Sequence, residues 1–151
     1  MFKLKIIRSF HCDILLFDVI GASWSHQCLP RKFSTGQLDF RNQLPLFVTK
    51  TTTLFLLKLV ISFVFGKRQD LSYIWLSHHI NCINPRIIVT FADNNALLAR
   101  YANEHPLVPV IFVQNAIRDK IGSMPNNLRL PIYMGLGQVE PELFKKIGVS
   151  C

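Results

Sequence analysis

Apolar positions along this chain fall into short runs separated by polar breaks, and two of those runs stand close together. Residues 86–92, RIIVTFA, and 107–113, LVPVIFV, are rich in β-branched side chains and have the length of buried strands. Between them, Asp93-Asn94-Asn95 gives way to ALLARYA at 96–102, whose apolar positions recur at helical spacing. The pattern predicts a compact β–loop–α–β unit over 86–113. Such crossovers are almost always right-handed and set their two strands parallel. Upstream, Leu71, Ile74, Trp75, His78 and Cys82 recur at helical spacing and predict a helix over 71–83. Asn84-Pro85 ends it, because the residue before a proline is pushed out of helical geometry. A first buried strand is expected at 14–20, stopped by Gly21-Ala22-Ser23, and a later one at 130–135. Pro141 between two glutamates opens a last helix, with Lys145, Lys146 and Gly148 at its end.

Two regions follow no single period. Residues 22–45 are broken by Pro30, Gly36 and Pro45 and are expected to be irregular, with one short strand around 37–41. Residues 46–65, LFVTKTTTLFLLKLVISFVF, form the most apolar stretch and approach the length of a membrane span. Lys50 and Lys58 lie inside it, and a lysine at mid-span costs roughly 2.5–3.5 kcal/mol. A long core helix with one wet stripe of Lys50, Lys58 and Ser62 fits better; an interfacial helix comes second and a span third. The basic and apolar amino terminus is interrupted by Arg8, His11 and Asp13, unlike a secretion signal.

Together these elements predict one α/β domain over 1–151: a Rossmann-like open parallel sheet flanked by helices. The chain's 151 residues suffice for one core, and with half of them apolar and 17% charged, disorder is excluded. Seventeen Lys and Arg against nine Asp and Glu leave a formal charge of +8, which suits nucleic acid, an anionic membrane or phosphorylated small molecules. The basic residues are scattered and carry no recognition module, so no nucleic-acid partner is expected. Cys12, Cys28, Cys82 and Cys151 form no CxxC pair, which argues against a zinc ribbon or disulfide framework and fits a reducing, cytoplasmic setting. His26 and Cys28 lack a second ligand pair, and adjacent His78 and His79 point in different directions on a helix; no metal is expected.

Candidate chemistry sits where the strands end, because open parallel sheets bind ligands outside their carboxyl edge. Asp93, Asn94 and Asn95 follow one predicted strand; Gln114, Asn115 and Arg118 follow the next. Asp93 is suited to deprotonate an acceptor hydroxyl or to hold a sugar hydroxyl. The amides of Asn94, Asn95, Gln114 and Asn115 offer the mixed donors and acceptors that sugars need. Arg118 can grip a phosphate or carboxylate at two points. Each has a plainer reading as well: Asp93 or Asn94 as a helix cap, Gln114 and Asn115 as loop ties. No phosphate-binding glycine loop, zinc-protease motif or serine-nucleophile motif is present.

The residues Ile88-Val-Thr-Phe-Ala-Asp93-Asn94, followed by Val113-Gln114-Asn115-Ala116-Ile117-Arg118, resemble the amino-terminal half of bacterial surface-carbohydrate biosynthesis transferases, which have a two-domain GT-B glycosyltransferase architecture. The likeness runs over about residues 70–147, including Tyr133-Met-Gly135, and departs from the family at Ala116, where glycine is the pattern. It implies a GT-B amino-terminal domain that handles a sugar or lipid-linked glycan acceptor during cell-envelope assembly. It also implies a carboxy-terminal transferase domain that binds the nucleotide-sugar donor, without which this part is inactive; no other cofactor is implied. The setting would be the cytoplasm, peripheral to the inner membrane face. A different class of function stays open: a non-catalytic membrane-associated or interaction module built around 46–65, or a truncated remnant.

Overall fold

The computed structural model describes residues 3–7, 10–18, 29–39, 43–47, 55–57, 60–61, 68–114 and 130–135. In chain order the elements are β1 (Lys3–Ile7), β2 (Ile14–Phe17), β3 (Thr35–Leu38), β4 (Gln43–Phe47), α1 (Arg68–Ile83), β5 (Ile87–Thr90), α2 (Ala96–Glu104), β6 (Val110–Val113) and β7 (Ile132–Met134). Five strands form one sheet in the order β3-β2-β5-β6-β7, and every neighbouring pair is parallel. A separate parallel pair joins β1 to β4. This is an α/β fold with helices packed on a parallel sheet, of general Rossmann-like topology.

Strand alternation sorts the core. Leu15, Phe17, Leu38, Ile88, Val110, Phe112 and Tyr133 point to one face and merge with Tyr73, Leu76, Ile80 and Ile83 of α1 and Leu98, Tyr101 and Ala102 of α2. Each fully buried side chain such as Phe112 or Leu98 contributes roughly 1.5–3 kcal/mol by leaving water. On the opposite face Ile14 and Leu16 pack with Leu29, Ile87 and Val89, while Ile132 and Met134 on the edge strand stay exposed. A three-part clasp ties the helices together. Tyr73 of α1 donates its hydroxyl to Glu104 of α2, Arg100 Nε donates to the same carboxylate at 2.8 Å, and the Arg100 guanidinium lies 3.9 Å over the Tyr73 ring. Arg100 and Tyr73 together hold the Glu104 carboxyl below its usual range, and burial pushes the Tyr73 hydroxyl up.

The predicted β–loop–α–β unit is present, with β5 and β6 adjacent and parallel. Three expectations need correction. Where 22–45 was expected to be irregular with one strand around 37–41, the described residues show the strand Thr35–Leu38 and a second, Gln43–Phe47, that begins before residue 45. Gly36 is required in the first: a Cβ there would stand 2.2 Å from the Phe10 ring and 2.9 Å from Cys12 Sγ, so a glycine that looks like a breaker marks a close approach. The expected helix over 46–65 does not begin at 46, because residues 46 and 47 belong to β4; helical backbone occurs at 55–57 and 60–61. Nor is it a core helix on its outer side, where Leu56, Leu57, Val60 and Ile61 are exposed.

The third correction concerns α1. It starts at Arg68 rather than 71, and its deepest face is Tyr73, Leu76, His79, Ile80 and Ile83. Leu71, Ile74, Trp75, His78 and Cys82 form the half-buried flank, because Phe55 covers that side by stacking on His78. The pair at 78 and 79 divides as expected. His79 is fully buried, with Nδ1 donating to the Trp75 carbonyl at 2.7 Å, and His78 is partly exposed. Beyond Ile83, Asn84 turns left-handed (φ 51°) and its N–H returns to the Ile80 carbonyl at 2.8 Å. Asparagine tolerates that conformation better than most residues, so it stops the helix together with Pro85. The expected last helix after Glu140 lies outside the described residues.

Candidate functional site at the carboxyl edge of the sheet

Because all five strands run the same way, their carboxyl ends share one edge. Leu38, Phe17, Thr90, Phe112 and Tyr133 are register partners in a single row, and each strand's next residues leave from there. The chain runs outward from β2 to β3, then resumes on the other side of β2 at β5 and continues to β6 and β7. The switch point therefore lies between β2 and β5, where such sheets open a crevice.

Asp93 stands three residues beyond the end of β5 and is fully buried, 0% exposed. The Tyr133 hydroxyl, reaching from β7 across β6, donates to its Oδ2 at 3.4 Å. Beneath the loop, Thr90 Oγ1 accepts from Ala92 N at 3.0 Å, and Asn95 N donates to the Ala92 carbonyl at 3.1 Å, which closes a tight turn. Asn94, at its crown, is exposed. Asn95 caps α2: its Oδ1 accepts from Leu98 N at 2.9 Å. The capping role left open between Asp93 and Asn94 thus belongs to neither of them but to Asn95.

Gln114 follows β6 directly, is 3% exposed, and its backbone N–H donates to the Met134 carbonyl at 2.9 Å. The structure thus brings Asp93, Asn94, Asn95 and Gln114 to one edge of adjacent strands. Asn115 and Arg118 lie outside the described residues.

Sequence reasoning missed two contributors. Asp18, immediately after β2, is 3% exposed with φ 76°, and its N–H donates to the Leu38 carbonyl at 2.9 Å. A lone aspartate inside the apolar run 14–20 was the available signal, but a strand with one solvent-facing position reads the same way. Tyr133 was foreseen only as part of a strand; its inward position follows from alternation once the register is known. Three buried polar residues (Asp18, Thr90 and Asp93) thus border the switch point. Taking carboxylates out of water is costly unless they are hydrogen-bonded or functional.

Among the described residues, no group of three side chains could hold a metal ion, and no helix is long and apolar enough to cross a membrane. No protein-family profile, curated protein or solved structure matches the chain.

Proposed function

We propose that this domain is the acceptor-handling side of a glycosyltransferase-like protein of surface-carbohydrate assembly, built on the GT-B plan. The observation that carries the reading is the pairing of Thr90 with Phe112, which makes β5 and β6 parallel neighbours and sends Asp93 and Gln114 out of the same edge. Buried carboxylates beside amides, at a topological switch point, are the groups that fix hydroxyl-rich ligands. In this reading exposed Asn94 meets the sugar first. Asp93, oriented by Tyr133, accepts a hydrogen bond from an acceptor hydroxyl and can take its proton when the site is closed. Arg118 pairs with phosphate on a lipid-linked acceptor. A nucleotide-sugar donor belongs to a second domain, so the reaction needs both.

The test is binding of a panel of lipid-linked saccharides and nucleotide sugars to wild type and to Asp93→Ala, with and without a complementing donor domain. The reading expects acceptor saccharides to bind and the substitution to weaken them at least tenfold. Failure of every ligand to bind even with the second domain present contradicts it.

A further inference from the structure

The carboxyl-edge proposal leaves one conspicuous surface unexplained. Phe55 is buried, stacked on the His78 ring at 4.0 Å and edge-on to Trp75 at 5.4 Å, which pins its segment to α1. The backbone is helical at 55–57 and 60–61, yet Leu56, Leu57, Val60 and Ile61 are 48%, 56%, 59% and 50% exposed. In sequence the four stand at i, i+1, i+4 and i+5, a spacing that at about 100° per residue falls within an arc of about 140°, with position 55 opposite it. One face is anchored in protein and the other offers two leucines, a valine and an isoleucine to solvent. Scattered exposed aliphatics are ordinary; a contiguous group on one helical face marks an interaction surface.

Charge decides which partner fits. In sequence Lys58 lies within this segment, Lys50, Lys67 and Arg68 flank it, and the chain carries +8 overall. A second copy would bring like charge against like charge, which opposes self-association. An anionic bilayer reverses the sign: aliphatic side chains enter the acyl boundary while lysines reach the headgroup phosphates. Seven residues of helix would span on the order of 10 Å, against the roughly 30 Å of a hydrocarbon core, so a patch of this length can wedge but not cross. We propose that Leu56, Leu57, Val60 and Ile61 dock this domain on an anionic phospholipid surface. The inference stands apart from the carboxyl-edge reading and uses none of its residues.

Vesicle co-sedimentation tests it, with phosphatidylcholine alone and with about a third phosphatidylglycerol. Wild type should partition at least tenfold better onto the anionic vesicles, and added salt should weaken binding. Leu57→Ser/Ile61→Ser and, separately, Leu56→Ser/Val60→Ser should each lose at least tenfold while keeping the wild-type circular dichroism. Hydrogen exchange of the unsubstituted protein gives a readout independent of any variant: vesicles should slow exchange at 55–61. The proposal is overturned if anionic vesicles are not bound, if both variants bind like wild type, or if protection appears only elsewhere. A concentration-dependent wild-type dimer that Leu57→Ser/Ile61→Ser dissociates also overturns it, because the face would then be a protein interface.

Discussion

The two ends of the sheet treat their carboxylates differently. At the amino end, Asp13 meets water, and its bonds hold three strands in place. Its Oδ2 accepts from Ser34 N at 2.9 Å and Ser34 Oγ at 2.7 Å, its carbonyl accepts from Arg86 N and Ile87 N, and Arg86 stands 3.8 Å from its other oxygen. Ser34 hydrogen bonds, with help from Arg86, hold the Asp13 carboxyl below its usual range. At the carboxyl end, Asp18 and Asp93 are buried on loops beyond the ladder, and the Tyr133 hydroxyl meets Asp93 Oδ2 at a long 3.4 Å. The amino edge is built for stability. The carboxyl edge buries its polar groups on loops, the arrangement on which the proposed site rests.

That contrast can be broken by substitution. The largest effect is expected at the amino half, where Gly36→Ala drives a methyl into Phe10 and Cys12; a loss of about 1–3 kcal/mol should appear in denaturant unfolding, with no selective effect on ligand. Next comes Asp93→Asn at the carboxyl edge. It removes the charge without changing shape, so stability should hold or rise while saccharide affinity falls at least tenfold, or about 1.4 kcal/mol. Should both properties fall together, Asp93 is a structural group and the contrast dissolves. Asn95→Ala sharpens the boundary between the two roles. Loss of the α2 cap should cost about 1 kcal/mol, and Asn95→Ser should recover most of it. If Asn95→Ser still fails to bind saccharide, the amide touches ligand as well as capping.

The smallest effect is electrostatic. A carboxyl whose folded pKa is depressed contributes stability above its unfolded value and loses it as pH falls through the folded one. The difference in Tm between wild type and Asp13→Asn should therefore be present at pH 7 and close below about pH 4. A gap that does not narrow at all as pH falls below about 4 would mean that shape rather than charge holds the Ser34 turn.

Much of the fold could be read directly because the central elements are locally consistent. Residues 86–113 combine β-branched strands, a helix-capping asparagine and an amphipathic ALLARYANE, and each signal agrees with the next. The site was legible only as strand-end polar clusters. Which of those groups would be buried depends on β7, whose Tyr133 arrives from 40 residues away, and no local pattern encodes that. The short strand expected around 37–41 begins earlier, at Thr35, and Gln43–Phe47 was not expected, because Gly36 and Pro45 are strand breakers whose presence is explained only by tertiary neighbours or by edge position. The apolar run after residue 46 misled for a related reason: hydrophobicity reports affinity for an apolar environment, and a strand, a core helix and an outward-facing patch all share it.

The central claim is that the carboxyl edge running from β2 through β5 to β6 receives a hydroxyl-rich ligand. Backbone amide shifts in a 15N-labelled sample, followed while an acceptor saccharide is titrated in, test it most directly. The account predicts perturbations concentrated at Asp18, Asp93, Asn94 and Gln114, with Asp13, Ser34 and Arg86 unmoved. Perturbations clustered at those three instead, or none at saturating saccharide, would contradict it.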